Sequence, residues 1–182
     1  MDWLEDLIRT YLERDVPQMG FRVPATRLRR LWTMLSHLQG EPINYSKIAA
    51  NLEMDAKSVS HYIDILTELL LVRRLEPWHA NVKKRLVKSP RFYVRDSGIQ
   101  HRLLAIGSYE ALLSNPVLGK SWEGFVVENI HSVLPRRAET FLPDRSWSGD
   151  RPCDPNALVR SLGSRGEARF STQAWKALQL DL

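Results

Sequence analysis

The chain has 182 residues, of which 43% are hydrophobic and 26% charged, and its net charge is +5. This length suffices for one large domain or two small ones, and the single cysteine, Cys153, excludes a disulfide framework and a thiolate-rich zinc site. No apolar run approaches the roughly 18 residues of a membrane span, and the acidic start is unlike a signal peptide. We therefore expect a cytoplasmic protein without a membrane partner.

Apolar periodicity predicts four helices in the first part of the chain. They cover residues 4–12, 26–39, 46–52 and 56–70, and Pro17 and Gly40 are expected to end the first and the second. The apolar face of the first helix is wide for so short a segment. We expect this face to pack on a partner that need not belong to the chain.

Two strand-like runs, residues 72–76 and 91–95, follow the fourth helix and flank a basic loop at residues 80–89. The second, third and fourth helices, the last two separated by a three-residue turn, precede this hairpin. That order predicts a winged helix-turn-helix. The predicted fold class is thus mainly α with a small β wing (α+β).

A winged helix-turn-helix predicts a surface for duplex DNA, because the second helix of the pair enters the major groove with its N-terminal residues on base edges. The side chains at those positions, all able to donate hydrogen bonds, are Lys57, Ser58, Ser60 and His61. The wing loop adds four bases for phosphate contacts, Lys83, Lys84, Arg85 and Lys88. Each phosphate contact would steepen the salt dependence of binding.

The charge along the chain agrees with this interpretation. Residues 73–102 contain nine bases and two acids, a net charge of +7, whereas residues 1–20 carry a net charge of −3. Concentrated positive charge is typical of a surface that meets polyanions. Two other interpretations stay open, a solvated basic loop without a partner and a winged helix that mediates protein–protein contacts.

Two motifs do not support a cofactor site. Gly119-Lys120-Ser121 resembles the end of a phosphate-binding loop, but Ser114 stands where that loop needs glycine and no buried strand precedes it. The five histidines show no paired spacing with carboxylates that would predict metal ligation. We expect neither cofactor nor metal in this chain.

Five sequence blocks then point to a family. They are YLERDVP (11–17), PWHAN (77–81), KSP (88–90), RDSG (95–98) and SWEGFV (121–126). Together they resemble bacterial AAA-type ATP-binding proteins with a DUF-type C-terminal region. The resemblance implies an ATPase core that uses ATP and Mg²⁺, a winged helix, and a nuclease-like domain of the PD-(D/E)XK kind. This chain has no Walker A lysine or Walker B acid, so the ATPase activity does not carry over.

The resemblance divides the chain into four parts. Residues 1–24 correspond to a connector helix from a missing ATPase core, residues 25–107 to the winged helix-turn-helix, residues 108–141 to the start of the nuclease-like domain, and residues 142–182 to an irregular tail. The helix at 122–134 resembles the first nuclease-like helix, whose acid corresponds to Glu123. Glu123 is therefore expected to be a remnant without metal-binding partners.

The tail lacks the Asp strand and the Glu-x-Lys strand of the nuclease-like fold. Back-translation of residues 142–154 and 162–168 in one shifted reading frame can restore both motifs. We hypothesise a frameshift near Phe141 that replaced this sheet. An uncovered apolar face, formed by Phe125, Val126, Val127 and Ile130, is then expected.

The sequence thus predicts the DNA-binding winged-helix part of an AAA-type ATP-binding protein, without ATPase activity or a complete nuclease site. Two alternatives remain. One is a metal-dependent nuclease whose acids are not located, and the other is a module that docks on a separate ATPase subunit.

Overall fold

The computed structural model describes residues 3–77, 89–133 and 141–142. Within them the chain is mainly helical with a small two-stranded antiparallel sheet, which confirms the predicted α+β class. The chain divides into two compact units, residues 1–75 with 89–134 and residues 76–88 with 135–182. The wing residues Lys83, Lys84, Arg85 and Lys88, and the tail from residue 143, lie outside the described residues.

The first unit begins with a helix that changes its winding. It starts as α1 (Trp3–Thr10), continues as a π-helical turn (Tyr11–Asp15) and ends as α2 (Val16–Gln18). The prediction that Pro17 ends this helix is wrong. Pro17 lies at the start of α2, where a missing N–H is tolerated, and the preceding N–H of Val16 bonds five residues back to the Tyr11 carbonyl.

The next three helices lie within two residues of the predicted bounds: α3 (Ala25–His37), α4 (Tyr45–Leu52) and α5 (Ala56–Glu68). Side-chain caps define two of their starts, because Asn44 accepts the N–H of Lys47 and Asp55 accepts that of Ser58. Glu53, with φ of 53°, adopts the left-handed conformation that closes α4. A short turn then leads into α5.

The small sheet follows α5. Strand β1 (Val72–Pro77) pairs antiparallel with β2 (Arg91–Val94), so that Val72 lies opposite Val94. In the second unit, residues 76–77 of β1 pair in parallel with β3 (Phe141–Leu142).

Three further helices complete the first unit: α6 (Ser97–Leu103), α7 (Tyr109–Leu113) and α8 (Leu118–Val133). The side chains of Asp96 and Ser108 cap α6 and α7. Gly119-Lys120-Ser121 lies in the first turn of α8, and the short helix α7 precedes it where a phosphate-binding loop would follow a strand. No helix among the described residues is both long enough and apolar enough to cross a membrane.

The N-terminal helix is part of the main core. Ile8, Leu12 and Val16 are buried in the same cluster as the apolar residues of α3, α4 and α5. Its α1 portion packs on α6, and its π-helical turn packs on α3. The apolar face of the first helix thus packs as expected, and the partners in contact with it are other helices of this chain.

Candidate nucleic-acid interface

Helix α5 is attached to the core by one face and presents the other to solvent. The buried side contains Val59, Tyr62, Ile63, Ile65 and Leu66. The exposed residues of the opposite side are Lys57, His61, Asp64 and Glu68. Their spacing of three or four residues places them along one line, with the basic residue near the N-terminus and the acids toward the C-terminus.

The two serines predicted as DNA contacts have different surroundings. The Ser58 hydroxyl donates to Oδ2 of Asp55 at 2.6 Å, and the Ser58 N–H donates to Oδ1 at 2.9 Å. Both hydrogen bonds lower the pKa of Asp55, and the one from the Ser58 hydroxyl has the larger effect. The hydroxyl hydrogen of Ser58 is thus used in the helix cap, while Ser60 is partly buried. Of the four predicted contacts on α5, Lys57 and His61 are the exposed ones.

Two further exposed residues, which the helix-turn-helix pattern did not predict as DNA contacts, lie on α4 and α5. Lys47 is exposed in the first turn of α4. Asp64 is exposed on α5, and its Oδ1 lies 3.8 Å from Nη1 of Arg74 on β1. The helical spacing of Asp64 from Lys57 was visible in the sequence, but its approach to β1 was not.

Several arginines of the first unit pair with acids. Glu128 on α8 accepts hydrogen bonds from Arg73, through Nη2 at 2.9 Å, and from Arg95, through Nε at 3.0 Å. Glu5 on α1 pairs with Arg29 and with Arg102, and the Arg29 hydrogen bond is the main factor that lowers the pKa of Glu5. The ranges 3–77 and 89–133 contain 14 bases and 14 acids. The excess positive charge therefore belongs to residues outside these ranges, four of them in the loop at 80–89.

Glu123 binds to the sheet. Its Oε1 accepts a hydrogen bond of 2.8 Å from the hydroxyl of Tyr93 on β2. Burial raises the pKa of Glu123, although Tyr93, Arg91 and Lys120 partly offset this effect. Burial and the Glu123 charge raise the pKa of Tyr93. In the described part of the chain, no three His, Cys, Asp or Glu side chains are grouped to hold a metal ion.

The inner face of α8 is closely packed. A side-chain carbon at Gly124 would overlap Nε2 of Gln39, which is buried beyond the end of α3. Gln39 is fixed by two hydrogen bonds, from the Val94 N–H to its Oε1 at 2.8 Å and from its Nε2 to Oε1 of Gln100 at 3.1 Å. Lys120 also pairs with Glu41. These contacts hold α8 to the helices and to β2.

The expected uncovered apolar face of α8 is only partly present. Val127 and Ile130 are buried, which corrects the prediction for these two residues, and Val126 is partly buried. Phe125 is 45% exposed and Trp122 is 47% exposed, and their rings stack with centroids 5.5 Å apart. The outer side of α8 therefore presents an aromatic pair to solvent.

Comparison with protein families gives a match to a domain of unknown function, DUF8612, over residues 1–110. The chain belongs to the DUF8612 family. The DUF8612 region includes α1 to α6 and the first residues of α7, and it contains the exposed face of α5. Helix α8 lies beyond it.

This DUF8612 chain also has longer relatives. It is 46% identical over 132 residues to uncharacterized protein Rv2008c of Mycobacterium tuberculosis (strain ATCC 25618 / H37Rv) and to uncharacterized protein Mb2031c of Mycobacterium bovis (strain ATCC BAA-935 / AF2122/97). The match covers 72% of this chain and 30% of each relative. The chain thus spans about 30% of the length of these curated relatives. No solved structure matches it.

Proposed function

We propose that this DUF8612 chain contains a winged helix-turn-helix that binds duplex DNA. The observation that carries the proposal is the placement of α5, which packs one face on the core and exposes Lys57 and His61 near its N-terminus. In helix-turn-helix proteins, that end of the second helix contacts base edges in the major groove. In a bacterial cell, where duplex DNA lies in the cytoplasm, this function would place the protein there.

The order of the elements supports the same proposal. Helices α3, α4 and α5 are followed by the antiparallel pair β1 and β2. Lys47, exposed at the start of α4, is available for a phosphate, since the first helix of the pair crosses the DNA backbone. The four bases of the loop between β1 and β2 would add phosphate contacts.

We further propose that this module belongs to an AAA-type ATP-binding protein with a nuclease-like C-terminal region. The five sequence blocks support this assignment. The matched segment is 30% of each mycobacterial relative, which leaves room in those proteins for further domains. ATP and Mg²⁺ would bind to the ATPase core and not to the residues of the winged helix.

The role of α5 can be tested with a double variant, Lys57→Ala with His61→Ala, in fluorescence anisotropy with labelled duplex DNA. We expect a loss of affinity of at least about thirtyfold, because two base contacts of about 1–3 kcal/mol each amount to at least about 2 kcal/mol. The matched control, Arg14→Ala with His37→Ala, removes one exposed base and one exposed histidine from positions elsewhere. Equal affinities of the two double variants would contradict the proposed role of α5.

A second candidate function is docking on a separate ATPase subunit. The exposed, stacked pair of Trp122 and Phe125 favours it, because aromatic residues are enriched at protein interfaces. A docking module should show no steep salt dependence with DNA. The variant Trp122→Ala with Phe125→Ala should weaken binding to a purified ATPase subunit and leave duplex affinity unchanged.

A further inference from the structure

We infer that α5 selects duplexes rich in G·C pairs, with Lys57 binding guanine and Asp64 binding cytosine. The inference rests on the DNA-binding function proposed above and adds the base composition that the helix recognises. General attraction to phosphates does not explain why an acid, Asp64, lies on the exposed face of α5. Recognition of cytosine gives this acid a role.

The chemistry of the two side chains gives the selectivity. The Lys57 ammonium only donates hydrogen bonds, and guanine presents two acceptors, O6 and N7, in the major groove. The Asp64 carboxylate only accepts, and cytosine presents the N4 amino group as a donor. An A·T pair matches the two side chains less well, because adenine places the N6 donor beside the N7 acceptor and thymine presents a single acceptor, O4, beside its methyl group.

The geometry allows both contacts from one helix. Lys57 and Asp64 are seven residues apart, so both lie on the exposed side of α5 and are separated by about 10 Å along its axis. That separation corresponds to about three base-pair steps where the helix follows the groove. A site with guanine and cytosine about three steps apart would thus meet both side chains.

Asp64 is accessible for such a contact. Its side chain is 54% exposed, and its nearest ion-pair distance, 3.8 Å to Arg74, is longer than a hydrogen bond. An exposed pair of this kind contributes little to stability and gives way readily to a better donor.

The negative charge of Asp64 also lowers the affinity for duplexes that offer it no hydrogen-bond donor. A carboxylate on a surface that faces phosphates reduces the affinity for every duplex, and only a base that donates a hydrogen bond to it restores the loss. Asp64 should therefore widen the gap between G·C and A·T duplexes. Its neutralisation should strengthen binding in general and reduce selectivity.

The test compares alternating G·C and alternating A·T duplexes of equal length, with the full chain and anisotropy at fixed low salt. We expect wild-type protein to bind the G·C duplex about tenfold more tightly. Asp64→Asn should bind the A·T duplex more tightly than wild type does and should keep only the part of the preference that Lys57 contributes. Glu110→Gln, which removes an exposed acid on α7, should change both affinities by the same factor.

The outcomes separate this inference from the function on which it rests. Equal wild-type affinity for the two duplexes would overturn the inference and leave DNA binding in place. Full retention of the preference in Asp64→Asn would do the same. Failure to bind either duplex at low salt would overturn the DNA-binding function and this inference with it.

Discussion

The hydroxyl of Tyr93 on β2 donates a hydrogen bond of 2.8 Å to Oε1 of Glu123 on α8. Tyr93 is fully buried. Gly40, with φ of +72°, lies against both, so that a Cβ there would come within 3.2 Å of Oε2 of Glu123. The contact between α8 and the sheet is therefore polar as well as closely packed. The stability of this contact should depend on the protonation state of Glu123 and on the small size of the glycines that line it.

The first prediction concerns the charge of Glu123. Burial raises its pKa, so its contribution to stability is largest at pH values below the ordinary carboxyl pKa and is lost as the pH rises through the raised pKa. Glu123→Gln keeps an acceptor for Tyr93 and removes the buried charge. We expect it to raise the free energy of unfolding near neutral pH by about 1 kcal/mol, and by less near about pH 4.

Urea unfolding of wild type and Glu123→Gln at the two pH values measures this difference. Tyr93→Phe is the companion variant, because it removes the donor and should cost about 1–3 kcal/mol near neutral pH. A Glu123→Gln protein that is destabilised equally at both pH values would show that the carboxylate charge carries no net cost.

The second prediction concerns Glu128, whose pH dependence has the opposite sign. Burial alone would raise its pKa, but the hydrogen bonds and charges of Arg73 and Arg95 outweigh burial and lower it. Its stabilising effect is present above the ordinary carboxyl pKa and is lost as the pH falls through the lowered value. We expect Glu128→Gln to cost about 2–4 kcal/mol near neutral pH and less in acid.

The same unfolding experiment provides the control for Glu128. Asp6→Asn breaks an exposed pair with Arg9 and should cost less than about 1 kcal/mol. If the two variants lose similar stability, the cluster of Glu128, Arg73 and Arg95 does not hold α8 in place.

The third prediction compares two glycines of one helix. Gly124→Ala would place a methyl group against Gln39 and displace its hydrogen bonds to Val94 and Gln100, at a cost of about 1–3 kcal/mol. Gly119→Ala meets no atom within 4 Å and should be neutral or stabilise α8 by up to about 1 kcal/mol. Equal effects on the midpoint of urea unfolding would contradict the close packing at Gly124.

The sequence predicted the local features well. Helices α3, α4 and α5 follow from their apolar spacing, and both strands were placed within one residue of their ends. These elements are determined by neighbours in the chain. The effect of Pro17 on the helix was not predicted, because it depends on the π-helical turn before it. No short sequence pattern predicts that turn.

The partners of α8 depend on the folded chain and could not be predicted in this way. Glu128 lies 55 residues from Arg73, and Lys120 lies 79 residues from Glu41. Counting charges over residues 73–102 therefore overstated the basic surface, since the balancing acids come from α1 and α8. On α5, Lys57 and His61 are exposed as helical spacing predicts, whereas Ser58 and Ser60 are partly buried.

The proposed function requires that duplex DNA contact both α5 and the residues between β1 and β2. The fourth prediction tests the loop with a variant in which its four bases are replaced by glutamine; they are Lys83, Lys84, Arg85 and Lys88. The matched control replaces four exposed bases at the N-terminal side of the chain, Arg9, Arg14, Arg22 and Arg27.

The most direct measurement is the affinity for duplex DNA as a function of salt between about 50 and 200 mM. Wild type and the Arg control should lose affinity steeply as salt rises, and the plot of log affinity against log salt for the loop variant should be shallower by about 3 to 4. An unchanged slope in the loop variant, or wild-type protein that does not bind the duplex at the lowest salt, would contradict the account.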